Sequence, residues 1–154
     1  MKKYKVNFVT TKELYNNLIL LDELLSLVVN VYNKDDMYSF YNEIHQNTKD
    51  IVICYLTDIN NDKIIALGCI TESYISDGTY ELFWGMVKEE YRGNGYGKIL
   101  IDERINYISN LFSINSIIVV TKSPWHLARC GFKTIKTFQN GEELMCLEII
   151  KNNI

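Results

Sequence analysis

The chain has 154 residues, 47% of them apolar and 23% charged, with 16 Lys and Arg against 19 Asp and Glu for a net charge of −3. That is enough sequence for one domain with its own core, and the composition is ordinary for a globular protein. No basic excess marks the chain as a nucleic-acid binder, and no apolar run approaches the roughly 20 residues that a membrane span requires.

The cysteines Cys54, Cys69, Cys130 and Cys146 form no C-x-x-C pair and have no histidine at metal-ligand spacing. Three lie in apolar runs, where a thiol behaves as a small hydrophobe. Reduced cysteines in a cytoplasmic protein are therefore expected, without metal or disulfides. The segment Met1-Lys2-Lys3-Tyr4-Lys5 is charged, and no apolar stretch of the signal-peptide kind follows it. With one proline, no linker and no internal repeat, residues 1–154 are expected to form one domain.

Residues 3–10 read as a strand with Tyr4, Val6 and Phe8 on one face. Thr10 and Glu13 have capping-box spacing. The helix they open repeats Leu14, Leu18, Leu21, Leu25 and Val28 at the helical period. Asp35-Asp36 is placed to cap a second helix, with Met37, Phe40, Tyr41 and Ile44 on one face. Residues 50–58 and 63–71 form an expected antiparallel hairpin around Asn60-Asn61-Asp62, and a further strand covers 79–87. After a glycine-rich turn, Ile101, Ile105, Ile108 and Phe112 mark a long helix. Residues 116–121 are a wholly apolar strand of the buried kind. Ser123-Pro124 starts a short helix and Gly131 stops it. Two last strands, 133–138 and 143–150, flank Gln139-Asn140-Gly141. The order is β-α-α-β-β-β-α-β-α-β-β, a meander followed by one βαβ crossover. It predicts an α/β (α+β) fold, a mixed and mostly antiparallel sheet of about seven strands flanked by about four helices.

The turn is Tyr91-Arg92-Gly93-Asn94-Gly95-Tyr96-Gly97-Lys98. Strand, glycine-rich turn and helix together aim backbone N–H groups and a positive helix end at an anion. Glycine permits the positive φ and the close approach this needs. A phosphate or pyrophosphate is the simplest ligand. The spacing G-x-G-x-G past mid-chain does not fit the dinucleotide fingerprint, and Gly97-Lys98 is followed by Ile99, so it is no P-loop.

Three stretches in this order resemble the GNAT superfamily of acyl-CoA-dependent N-acyltransferases. Val87 to Gly97 resembles its pyrophosphate motif, residues 116–121 the strand that follows, and Ala128-Arg129-Cys130-Gly131-Phe132 its helix-then-Gly-Phe signature. The resemblance covers the whole element order. It implies acetyl-CoA as the acyl donor, with no metal, and a primary amine of a small molecule or amino acid as acceptor. A protein lysine or N-terminus, an aminoglycoside or a polyamine are alternatives. The implied donor site is Arg92, Gly93, Asn94, Gly95, Tyr96, Gly97 and Lys98, with the main-chain N–H groups of Met86 and Val87 along the thioester. Glu81, on the same strand with Phe83 and Gly85 expected on its face, is the implied base.

The chain departs from the pattern at Leu127, where many members carry a tyrosine as general acid. His126 and Cys130 are neighbours of that position, and His45 is read as structural. Acidic segments Asp35-Asp36 and Glu142-Glu143 stand where acceptors are chosen in this family, and Tyr32, Tyr38, Phe40 and Tyr41 form an aromatic cluster nearby. The missing tyrosine keeps open a different class, an acyl-CoA-binding sensor without transfer. A homodimer is common in the family.

Overall fold

One seven-stranded sheet, in the order β1-β2-β3-β4-β5-β7-β6, organises the fold. It is seen in a computed structural model that describes residues 1–46 and 50–150; residues 47–49 and 151–154, part of the expected span 1–154, lie outside the described residues. The elements are β1 (Tyr4–Thr10), α1 (Thr11–Tyr15), α2 (Leu18–Val31), α3 (Lys34–Gln46), β2 (Val52–Asp58), β3 (Ile64–Glu72) and β4 (Thr79–Val87). A 3-10 turn at Glu89–Tyr91 precedes α4 (Tyr96–Ser109), β5 (Ser116–Thr121), α5 (Pro124–Ala128), β6 (Lys133–Thr137) and β7 (Glu143–Glu148). The fold is the expected mixed sheet, with five helices in place of about four.

The extra helix comes from a break in the expected first one. Thr10 caps α1 as the spacing predicts: its Oγ1 accepts from the Glu13 N–H (3.2 Å) and donates to Glu13 Oε1 (3.1 Å). The helix then stops at Asn16. Asn17 opens α2, its Oδ1 accepting from the Leu20 N–H (3.1 Å). A break shifts the helical phase, so Leu21, Leu24, Leu27 and Val28 are buried while Leu18 is 70% exposed. The cap of α3 is likewise Asn33, whose Oδ1 accepts from the Asp36 N–H (2.8 Å). Asp35 and Asp36 instead occupy the first turn, where negative charge suits the helix dipole.

The two sheet faces carry different helices. Leu24, Val28, Phe40 and Ile44 of α2 and α3 pack on Leu67 and Met86. On the other face Leu100 of α4 packs on Cys54 and Ile65, and Ile108 on Ile70 and Leu82. All strand pairs are antiparallel except β4 with β5. That parallel ladder joins only Thr79, Tyr80 and Glu81 to Ser116, Ile117 and Ile118, and beyond it the strands part.

β4 also carries a bulge. Phe83 pairs with Cys69 and Met86 with Leu67, so Trp84 and Gly85 both stand opposite Gly68. Trp84 takes a left-handed φ of 52°. The extra residue inverts the side-chain alternation. Phe83, Trp84 and Met86 therefore pack toward α2 and α3, while Gly85 and Val87 turn toward α4. The expectation that Gly85 shares the face of Glu81 and Phe83 fails for this reason. At the far edge β6 is exposed at all five residues, and its pairing with β7 shifts register between Thr134 and Lys136.

Replacing Asn17 with Ala is expected to lower the free energy of unfolding by about 1 kcal/mol, the usual value of a lost helix cap. Leu18→Ala, at an exposed position, is expected to change it by less than about 0.5 kcal/mol. Chemical denaturation of the two variants measures both.

Candidate active site

Where β4 and β5 part, a cleft of about 1090 Å³ opens between them. Leu82 to Val87 form one wall and Val119 to Ser123 the other. Leu100, Ile101 and Arg104 of α4 form the floor, and the glycine-rich turn closes one end. His126, Leu127 and Arg129 border it from the α5 side, and Val31 and Tyr32 from the end of α2. The size lies just above the usual range for organic ligands, roughly 300–1,000 Å³.

The turn offers bare backbone to this space. Gly93 (φ 78°) and Gly95 (φ 82°) are left-handed, and a Cβ on either would meet nothing within 4 Å. Gly95 occupies the N-cap of α4, and no side chain caps the helix. The first helix N–H to find a carbonyl is that of Ile99, on Gly95 (3.1 Å). The N–H groups before it are the unsatisfied donors of a helix start, which favour an anion.

The side chains of the turn are largely occupied with holding it. Arg92 Nε donates to the Val87 carbonyl (3.1 Å). Asn94 Nδ2 donates to the carbonyls of Tyr91 (3.1 Å) and Arg92 (3.2 Å). Tyr96 packs edge-on against Tyr4 and Tyr91, and Lys98 pairs with Asp102. Gly97 faces Val87, where an added Cβ would lie at an ordinary 3.9 Å.

The cleft is cationic although the chain is not. Arg92, Lys98, Arg104, Lys122 and Arg129 line it against one carboxylate, Glu142. Bare N–H donors at a helix start, open space above two glycines and a cationic lining fit a phosphate or pyrophosphate group. Among the described residues no cluster of three His, Cys, Asp or Glu is placed to hold a metal. No helix there is long and apolar enough to cross a membrane.

Along β4 the Lys88 N–H bonds the Ile65 carbonyl on β3 (2.9 Å). Strand alternation then turns the Val87 N–H away from β3, toward the cleft, and the Met86 N–H toward β3. Met86 buries its side chain in the α2–α3 core. Glu81 is not among the cleft-lining residues. It is half-buried and pairs with Thr71 on β3. Burial raises its pKa above the usual carboxylate range, and the charge of Glu43 on α3 raises it further. Glu43 in turn accepts from Trp84 Nε1 (2.6 Å), whose indole packs edge-on against Phe40.

Other candidates separate cleanly. Leu127 is buried, while His126 is exposed and borders the cleft. Cys130 Sγ donates to the His126 carbonyl (3.5 Å), and burial pushes its thiol pKa up. His45 stacks on Tyr41 (3.8 Å), away from the cleft. Of the aromatic cluster, Tyr32 borders the cleft and packs on Trp84, Phe40 is core, and Tyr38 and Tyr41 are exposed. Glu142 borders the cleft, Glu143 accepts from Thr134 Oγ1 (2.8 Å), and Asp35 and Asp36 lie elsewhere.

Arg104 and Glu43 escaped the sequence reading. Leu100, Arg104 and Ile108 recur every fourth residue, so the buried stripe of α4 passes through the arginine. That spacing was the available signal. Burial lowers the Arg104 pKa from the ordinary 12.5 to about 10 and leaves it a cation at neutral pH. It also pushes the adjoining Cys54 thiol up to about 12 and raises that of Cys69.

Gly97→Ala is expected to leave the unfolding midpoint of the free protein unchanged and to weaken CoA binding by about 10-fold or more, the share of one or two lost charge-assisted hydrogen bonds. Gly95→Ala is expected to do the same with an added stability loss of about 1 kcal/mol from its left-handed φ. Titration calorimetry with CoA and thermal unfolding separate the two effects.

Residues 17–132 match the acetyltransferase (GNAT) family. No curated relative matches the sequence. Among solved structures, a GNAT family N-acetyltransferase from Escherichia coli in complex with CoA is 12% identical with a TM-score of 0.74, over 97% of this chain and 83% of that one. Aminoglycoside 6′-acetyltransferase type Ii is 17% identical with a TM-score of 0.74, over 96% and 99%. The ribosomal-protein-S18-alanine N-acetyltransferase from Escherichia coli is 14% identical with a TM-score of 0.71, over 98% of both. Likeness at these identities is likeness of fold.

Proposed function

The chain belongs to the acetyltransferase (GNAT) family, and on that premise we propose that it transfers an acetyl group from acetyl-CoA to the primary amine of a small molecule or amino acid. The observation that carries the reading is the uncapped start of α4, opening into a cationic cleft between two parted strands. On this reading the N–H groups of Gly93 to Lys98 hold the pyrophosphate, with Arg92 and Lys98 contributing charge. The thioester lies along β4, Met86 forms its wall, and the Val87 N–H donates to the acyl oxygen.

The acceptor approaches from the side of α2 and α3, where Tyr32 and Trp84 stand and the carboxylates of Glu43 and Glu81 attract a cation. A primary ammonium, with a pKa of about 10.4, gives up one proton before it can attack. Glu81 takes that proton through an intervening water. The amine lone pair then forms the C–N bond, the C–S bond breaks, and the second nitrogen proton passes to the departing thiolate. The product is an amide and free CoA.

A second reading, an acyl-CoA-binding sensor without transfer, is favoured by one observation: the position where many relatives place a general acid is the buried Leu127.

A thiol-release assay with acetyl-CoA and a panel of amines separates the two. Release is expected, and Glu81→Gln is expected to lower kcat by about 10²-fold, the range of a lost general base. CoA binding with no release from any amine supports the sensor. The base works deprotonated, so kcat/KM falls as pH drops through its pKa, which burial and then Glu43 hold above the usual carboxylate range. Glu43→Gln removes one raising charge and is expected to move that limb to lower pH. A limb unmoved in this variant and retained in Glu81→Gln removes Glu81 from the mechanism.

A further inference from the structure

Arg104 has no part in the chemistry above, yet the fold is shaped around it. Its side chain is 4% exposed, and among the described residues no carboxylate pairs with it. Its donors go to main-chain carbonyls: Nε to Leu100 (3.2 Å), and Nη1 to Cys69 (3.3 Å) and Phe83 (3.5 Å). Cys69 and Phe83 are the last register partners before the bulge.

Two glycines make room for the guanidinium. A Cβ on Gly68 would lie 2.6 Å from Cζ, and one on Gly85 would lie 3.0 Å from Nη2. These glycines face each other across the bulge. Arg104 also borders the cleft beside Gly85, Met86 and Val87.

A buried cation without a counter-charge is unfavourable in the free protein. Negative charge that develops in the cleft relieves it. The pyrophosphate would be held at the start of α4, eight residues and about 12 Å along the helix from Arg104. A neutral thioester supplies little charge beside the guanidinium, whereas the oxyanion formed as the amine attacks supplies a full unit, and the low dielectric strengthens the attraction. An interaction gained in the transition state and absent from the ground state raises kcat and leaves binding alone.

We propose that Arg104 is a positioning residue for acetyl transfer: it braces the β4 bulge so that the Val87 N–H meets the acyl oxygen, and its uncompensated charge favours negative charge on that oxygen. The inference rests on the acetyl-transfer reading.

The test compares Arg104→Met, Arg104→Gln and Arg104→Lys with wild type by steady-state kinetics, calorimetric CoA binding and thermal unfolding. In the neutral variants kcat is expected to fall about 10²-fold, the cost of one lost oxyanion stabiliser. KM for acetyl-CoA and Kd for CoA should stay within about threefold, because the pyrophosphate grip at the start of α4 lies eight residues away from the substitution. Tm in Arg104→Met should shift little, because relief of the unpaired buried charge opposes the loss of the bonds to the Leu100, Cys69 and Phe83 carbonyls. Arg104→Lys keeps the charge and should retain more kcat than either neutral variant. If Arg104→Met does not fold, Arg104→Gln, which keeps a donor for the carbonyls, carries the comparison.

A kcat within about twofold of wild type in the neutral variants overturns the inference. Equal losses in the Lys and neutral variants, or a kcat that falls only in step with Tm, overturn it as well. A wild type that binds CoA but releases no thiol overturns the acetyl-transfer reading and this inference together. An active wild type with unaffected variants overturns the inference alone.

Discussion

One extra residue in β4 sets the geometry on which the cleft depends. β4 is tied to β3 on both sides of the bulge, but to β5 by only three residue pairs. A bulge bends its strand and sharpens the local twist. Past Glu81 the strand can follow β3 or β5 but not both, and it follows β3. The gap left beside β5 is the cleft. The same residue turns Gly85 and Val87 toward α4, while Glu81, before the bulge, stays near Glu43 of α3. Trp84 bears the strain. A left-handed φ in a residue with a side chain costs on the order of 1–2 kcal/mol. The bond from its indole to Glu43 and its packing on Phe40 and Tyr32 hold it there.

The charges follow the same division. A chain with a net charge of −3 places five cations against one carboxylate around the cleft. Its paired acids, Glu43 and Glu81, lie on the side of α3. The proposed donor is a polyanion and the proposed acceptor a cation, so each substrate meets the opposite sign on its own side of β4. Arg104 sits at the boundary. Lowering an arginine pKa from 12.5 to about 10 corresponds to about 3 kcal/mol at 1.36 kcal/mol per pH unit, a cost borne in the free protein.

Much of this was legible in the chain, and the limits were physical. Gly93 and Gly95 could be read because a left-handed turn before a helix start is a local requirement that glycine meets. The mixed, mostly antiparallel sheet could be read because hairpins and a crossover are set by the run of elements, whereas the place of β7 between β5 and β6 could not. Leu18 was misassigned because Asn16 and Asn17 interrupt the helix without a proline or glycine to mark it. The bulge was unreadable because a lone glycine within an apolar strand is weak punctuation, and with it went the face of Gly85. Arg104 passed unnoticed because a charged residue on an amphipathic helix is normally at its surface.

The edge at β6 bears on a different matter, how the sheet ends. Its five residues are exposed, Lys133 and Lys136 are among them, and the register breaks between Thr134 and Lys136. A free edge with regular spacing and apolar side chains is a template on which another chain can add a strand. Here the broken register misplaces the donors and acceptors that a newcomer would need, and bringing two lysines beside its backbone carries a desolvation cost. The sheet is thereby protected against growth into aggregates at the edge farthest from β1, despite the exposed Ile135 on the same strand.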